Sequence, residues 1–96
     1  MENSLKEKFS HFRLLITGYW NQDTESPEKG LTELLENSKQ GLTNILSEMK
    51  EFLDNNLMTD QEKETFIKES AHIDLPEPNL DWLKAVARQI EEHLNS

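Results

Sequence analysis

Apolar residues recur along this chain at the spacing of an amphipathic α-helix. The clearest case is an eleven-residue unit at residues 30–35 (GLTELL) and 41–46 (GLTNIL), with a degraded copy at 52–57 (FLDNNL). Eleven residues make about three helical turns, so equivalent positions of successive copies lie on the same side of a helix. The resulting apolar stripe comprises Leu31, Leu34, Leu35, Leu42, Ile45, Leu46, Leu53 and Leu57.

This pattern predicts one long helix over about residues 27–57, roughly 45 Å long. Its start is marked by Ser26, a good N-cap, followed by Pro27 at the first helical position and Glu28 in the first turn. A break could fall within residues 37–41, because Gly41 is a residue type that often ends a helix. We favour a continuous helix, since the repeat keeps its phase across Gly41.

Three further helices are predicted. The first ends near Gly18, and a polar loop follows at residues 21–26. Thr59 and Glu62 form a capping-box pattern that starts a short helix ending near His72. The prolines at 76 and 78 exclude helix before Asn79, which we expect to cap the last helix. The apolar positions of the first and last helices are Leu5, Phe9, Phe12, Ile16 and Tyr19, and Leu80, Leu83, Ala87, Ile90 and Leu94.

The predicted fold is therefore all-α, a single domain over residues 1–96. We expect a four-helix bundle or helical hairpin built round the long helix at about 27–57. Only 34% of the residues are apolar, and the stripe on so long a helix exceeds what three shorter helices can easily cover. Sharing a core between two chains solves this problem, so we predict a homodimer.

Composition limits the kinds of site and the cellular compartment that we expect for this protein. The chain has no cysteine, so neither a disulfide framework nor a thiolate metal site is expected. The apolar run at residues 14–16 is too short for a signal sequence or a membrane span. These features favour a cytoplasmic protein.

Negative charge is concentrated in the middle of the chain. The net charge is −9, and residues 23–78 carry fourteen acidic and five basic side chains, while the two ends nearly balance. This distribution opposes direct binding to nucleic acid, which needs clustered Lys and Arg. We predict that Glu33, Glu36, Glu48 and Glu51, beside the apolar stripe, bind a protein partner with a basic surface.

No pattern of catalytic or cofactor-binding residues is present. Glu69 and His72 have the Glu-x-x-His spacing of di-iron bundles, but the second such pair that these sites require is missing. Residues 54–65 resemble an EF-hand loop only at its start. The long helix also has too few Lys residues for a typical membrane-surface helix. We expect no enzyme activity, no metal, no cofactor and no membrane association.

Two hypotheses about function remain. The first is a small, acidic, non-catalytic regulatory module that acts by protein–protein interaction through its acidic surface and a hydrophobic groove. The second is a nucleic-acid mimic that occupies the basic cleft of a DNA- or RNA-binding protein. The neutral Gln40 and Asn44 interrupt the row of acids, which favours the first.

Overall fold

The computed structural model describes residues 8–96, in which all regular secondary structure is helical. Five helices occur in this part of the chain: α1 (Ser10–Tyr19), α2 (Pro27–Leu35), α3 (Lys39–Asp54), α4 (Asp60–Ser70) and α5 (Asn79–Asn95). They pack as a bundle with extents of 39 × 26 × 20 Å. The all-α prediction is thus confirmed. Leu5, predicted to lie on the first helix, is outside the described residues.

Two of the predicted helix starts are confirmed in detail. The Ser26 side chain accepts a hydrogen bond from the backbone N–H of Lys29, and Pro27 is the first residue of α2. At the start of α4, the Thr59 hydroxyl accepts the N–H of Glu62, while the Glu62 carboxylate accepts the N–H of Thr59 at 2.9 Å. In each case a local side chain satisfies backbone donors that the helix cannot pair.

The prediction of one long helix over about residues 27–57 is wrong, because this part of the chain forms two helices, α2 and α3. Ser38 has extended backbone and its hydroxyl accepts the N–H of Gly41, so Ser38 is the N-cap of a new helix. Asn37 donates from its amide to the Leu34 carbonyl and to the Tyr19 hydroxyl, each at 2.7 Å. These side-chain bonds replace the backbone bonds that a continuous helix would make. Gly41 lies inside α3 and does not end α2.

The apolar stripe nevertheless remains in the core on both sides of the break. Leu34 on α2 and Leu42 and Ile45 on α3 are buried within one chain. Four further leucines of the stripe are half-buried and pack against this core, namely Leu31, Leu35, Leu46 and Leu53. Helix α3 ends at Asp54, and Leu57, the last position of the stripe, is exposed. The other helices of the same chain therefore cover part of the stripe, which weakens the reason given for a homodimer. The homodimer itself stays a prediction.

Aromatic rings hold the centre of the bundle together. Phe9 and Phe12 from the start of the chain meet Phe52 of α3 and Phe66 of α4, with ring centroids 4.8–6.4 Å apart. Such contacts add about 0.5–1.5 kcal/mol per pair beyond the buried area. This cluster fixes α1 against α3 and α4.

Two neighbouring residues of α4 complete the ends of the adjacent helices. The buried Lys63 donates from Nζ to the Leu53 carbonyl in the last turn of α3 at 2.7 Å. The Glu64 carboxylate accepts the backbone N–H groups of Asn79 and Leu80, the latter at 2.7 Å, at the start of α5. A cation at a helix C-terminus and an anion at an N-terminus both oppose the end charges of the helix dipole.

The prediction that the Asn79 side chain caps α5 is therefore wrong. Asn79 is the first residue of the helix, and its amide donates backwards to the carbonyls of Leu75 and Pro76. Glu64, fifteen residues earlier, takes the capping role.

Candidate protein-binding surface

The helix break separates the four predicted partner-binding glutamates into two pairs. Glu33 lies in the last turns of α2 and Glu36 is its C-cap, whereas Glu48 and Glu51 lie in the second half of α3. Glu33, Glu36 and Glu51 are exposed and Glu48 is half-buried. The four side chains therefore do not form one row along a single helix.

The α3 pair interacts with His11 in the first turn of α1 and with Lys8, two residues before this helix. His11 Nδ1 is hydrogen-bonded to Glu48 Oε1, and Lys8 Nζ lies 3.7 Å from Glu51 Oε1. Contacts between exposed ionic groups of this kind contribute little stability, about 0–1 kcal/mol. They do place a cation next to Glu51 and an ionisable imidazole next to Glu48, so any basic partner would compete with α1 for both carboxylates.

The α2 pair has no such competitor within residues 8–96, where neither Glu33 nor Glu36 forms an ion pair. Both carboxylates lie beside the negative end of the α2 helix dipole, and α2 has no basic residue in its last turn that would balance them. Acidic groups at that end are locally unfavourable. Their negative potential is consequently left available to a partner.

Exposed acids extend from this pair back to the loop that precedes α2. Within residues 21–38, which we call the acidic segment, five exposed acids accompany a single cation, Lys29. The five acids are Asp23, Glu25, Glu28, Glu33 and Glu36. Lys39, the first residue of α3, is the next cation along the chain. The sequence prediction did not single out the first three acids, although the charge count already included them.

The tryptophans contribute mainly to packing. Trp20 is fully buried and its indole N–H donates to the Pro27 carbonyl at 3.0 Å. Trp82 is half-buried and packs edge-on against Trp20, with centroids 4.9 Å apart. Large exposed apolar side chains in the described part of the chain are limited to Leu14 and Leu57. The described surface thus offers few large apolar side chains to a partner.

The described range lacks two other kinds of site. Residues 8–96 contain no group of three or more His, Cys, Asp or Glu side chains arranged to hold a metal ion. None of the helices in this range combines the length and apolar character needed to cross a membrane.

Comparison with known proteins identifies the family. No curated protein and no solved structure shows significant similarity to this chain. The sequence profile of the CdiI immunity proteins, in contrast, matches residues 8–90, from the start of the described bundle into the last turns of α5. Because this match spans most of the sequence, the chain belongs to the CdiI immunity protein family.

Proposed function

We propose that this protein neutralises a protein toxin in the cytoplasm by binding to it, and that the acidic segment docks a basic face of that toxin. Proteins of the CdiI immunity family are small, non-enzymatic proteins that bind a toxin partner. The family match over residues 8–90 is the observation that carries the proposal.

Charge distribution supports the choice of surface. Five exposed acids and one cation in the acidic segment produce a local field that attracts a positively charged protein. Such complementarity raises association rates and helps to reject partners of the wrong charge. Glu33 and Glu36 are free to contact the toxin directly, whereas Glu48 and Glu51 must first give up their contacts with His11 and Lys8.

The nucleic-acid-mimic alternative requires a regular row of charge that follows a phosphate backbone. The break between α2 and α3, together with the contacts of Glu48 and Glu51 to α1, interrupts such a row. The observations therefore favour docking on a basic protein surface. Competition between this protein and a DNA or RNA oligonucleotide for the toxin separates the two hypotheses.

The test begins with a toxin recovered by affinity capture and expressed in cells with and without this chain. We expect growth to stop without the chain and to continue with it. The chain should no longer protect the cells when it can no longer bind the toxin. A captured protein that is harmless in cells, or a chain that binds the toxin without protecting, contradicts the proposed function.

The docking surface is tested with two charge-matched double variants. Glu33→Lys with Glu36→Lys should slow toxin association by roughly tenfold at 0.1 M salt, because the steering field is reversed. Glu69→Lys with Glu92→Lys makes the same change in net charge at exposed positions of α4 and α5, and should have a smaller effect. At 1 M salt, where the Debye length is about 3 Å, the difference should nearly vanish. Equal on-rates for the two variants at low salt would assign the acidic segment to solubility alone.

A further inference from the structure

Residues 71–78, which connect α4 to α5, enclose a groove at the end of α4. The groove has a volume of about 650 Å³. Its apolar lining comes from Ala71, Ile73 and Leu75. Its polar lining comprises two carboxylates, one ammonium group, one imidazole and one amide, from Asp74, Glu77, Lys68, His72 and Asn79. A pocket of this size can hold a long side chain, and an apolar lining with a few polar groups is typical of binding sites. We call this feature the linker groove.

Hydrogen bonds to the backbone hold the linker groove in shape. The N–H of His72 donates to the Trp20 carbonyl at 2.9 Å, which attaches the start of the linker to the end of α1. The buried Asn79 amide donates to the Pro76 carbonyl at 2.8 Å and to the Leu75 carbonyl at 3.3 Å. The groove is therefore formed before any partner arrives, and binding need not order the linker.

The carboxylates of the linker groove are available to a ligand. Asp74 is exposed and has no hydrogen bond or ion pair to any residue of the described range. Glu77 Oε1 lies 3.6 Å from Lys68 Nζ, but these side chains are 70% and 69% exposed. An ion pair between side chains so exposed contributes little stability. A better-placed cation can therefore displace Lys68 from Glu77.

We propose that the linker groove binds an arginine side chain that projects from the toxin. A guanidinium group has weakly hydrated flat faces that pack on apolar surface, while its edge donates several hydrogen bonds to carboxylates. The methylene stem would lie against Ile73 and Leu75, and the head would reach Asp74 and Glu77. This inference rests on the proposed toxin-binding function, and it assigns a second contact outside the acidic segment.

The first experiment tests the linker groove without the toxin. The probe is N-acetyl-arginine methylamide, added to isotope-labelled protein and followed by NMR. We expect saturable shifts in the amides of residues 68–79, and none with the uncharged analogue N-acetyl-citrulline methylamide. Weaker shifts are expected with the lysine analogue, because an ammonium group is more strongly hydrated. The absence of saturable shifts, or equal shifts with citrulline, overturns the proposal.

Single substitutions in the groove should change probe binding in opposite directions, and the same charge changes outside the groove should have smaller effects. Asp74→Asn should weaken probe binding roughly two- to fivefold, as expected for loss of an exposed charge contact. Lys68→Gln should strengthen it by a similar factor, because Glu77 loses its internal competitor. The controls are Glu69→Gln and Lys84→Gln, which remove exposed charges from α4 and α5 outside the groove. If the control variants change probe binding as much as the test variants do, the proposal is contradicted.

The second experiment uses the toxin itself. Asp74→Asn with Glu77→Gln should raise the dissociation rate roughly tenfold while Glu69→Gln leaves it unchanged, since paired charges inside an interface act mainly on dissociation. One arginine of the toxin, changed to alanine, should abolish this difference. If the chain protects against the toxin but dissociation is insensitive to Asp74 and Glu77, the groove proposal fails and the proposed function stands. If the probe binds but no toxin is neutralised, the proposed function fails instead.

Discussion

Trp20 joins three parts of the chain. Its indole N–H donates to the Pro27 carbonyl at the start of α2, and its backbone carbonyl accepts the N–H of His72 after α4. The ring packs so closely on α2 that a Cβ at Gly30 would lie 2.4 Å from Nε1. Glycine at position 30 is thus required by packing.

The substitution Gly30→Ala should destabilise the protein by about 1–3 kcal/mol. The added methyl group would also lie 2.6 Å from the Tyr19 carbonyl oxygen, and overpacking of this kind outweighs the gain in helix propensity. Gly18→Ala is the matched control, because nothing lies within 4 Å of a Cβ at Gly18. It should stabilise the protein by about 0.5–1 kcal/mol. Urea denaturation measures both changes, and a stabilising Gly30→Ala would contradict the observed packing.

Single residues were predictable where their partners are close in sequence. Ser26 and Thr59 cap helices through residues three positions away, so their roles follow from the local pattern. Asn79 looked equally suitable, but Glu64 occupies that role from another helix. The sequence alone could not show this, because it does not reveal which helices lie side by side.

At the scale of the helices, the break between α2 and α3 has a local cause that the repeat concealed. Both helices bury the same stripe, so the apolar residues keep their spacing across the break. Residues 36–38 provide the competing signal, in which Asn37 and Ser38 bond to the backbone at the end of α2 and the start of α3. Apolar periodicity reports which side of a helix is buried and is insensitive to a change of direction between two turns.

Helix α3 should remain the most sensitive element to loss of apolar volume. Leu42 is almost fully buried, and Leu42→Ala should cost about 2–5 kcal/mol through lost burial and the cavity that it leaves. Gln40→Ala, on the exposed side of the same helix, should change stability by less than about 0.5 kcal/mol. Chemical denaturation of both variants provides the measurement. Similar midpoints for the two would mean that α3 does not pack as described.

The candidate surfaces were only partly accessible to sequence reasoning. Charge counting located the acidic middle of the chain, including Glu33 and Glu36. It could not show that Lys8 and His11, at and just before the start of α1, lie next to the other two predicted glutamates. The linker groove was missed for a similar reason, since the sequence predicted only a helix ending near His72 and extended backbone before the two prolines. The hydrogen bond from His72 to the Trp20 carbonyl, which forms part of the groove, arises from tertiary structure.

At the scale of the whole molecule, the proposed protein-binding role leaves little local signal in the sequence. A protein that acts by covering another protein needs a complementary surface, and such a surface has no fixed spacing of chemical groups in sequence. Composition therefore predicted a protein-binding role, and the family match supplied the class of partner. Neither the repeat nor the charge distribution indicated that the partner is a toxin.

The predicted homodimer can be tested by sedimentation equilibrium at micromolar concentration. A dimer gives a mass near twice the 11.2 kDa of the chain. This measurement does not depend on the burial of Leu34, Leu42 and Met49 within one chain. A species of 11.2 kDa at all concentrations would rule the dimer out and show that packing within one chain is sufficient. The full-length protein without toxin is the sample for this measurement.

Through the adjacent Lys63 and Glu64, α4 connects two helices that are each longer than α4 itself. One side chain completes the end of α3 and the other completes the start of α5, so opening α4 exposes unpaired backbone groups on both neighbours at the same time. The three helices then gain or lose order together, and this coupling makes the folding of a small bundle cooperative even when its core is small. In native-state hydrogen exchange, the amides at the start of α5 should accordingly share the protection of α4, with no separate early opening at Asn79 and Leu80.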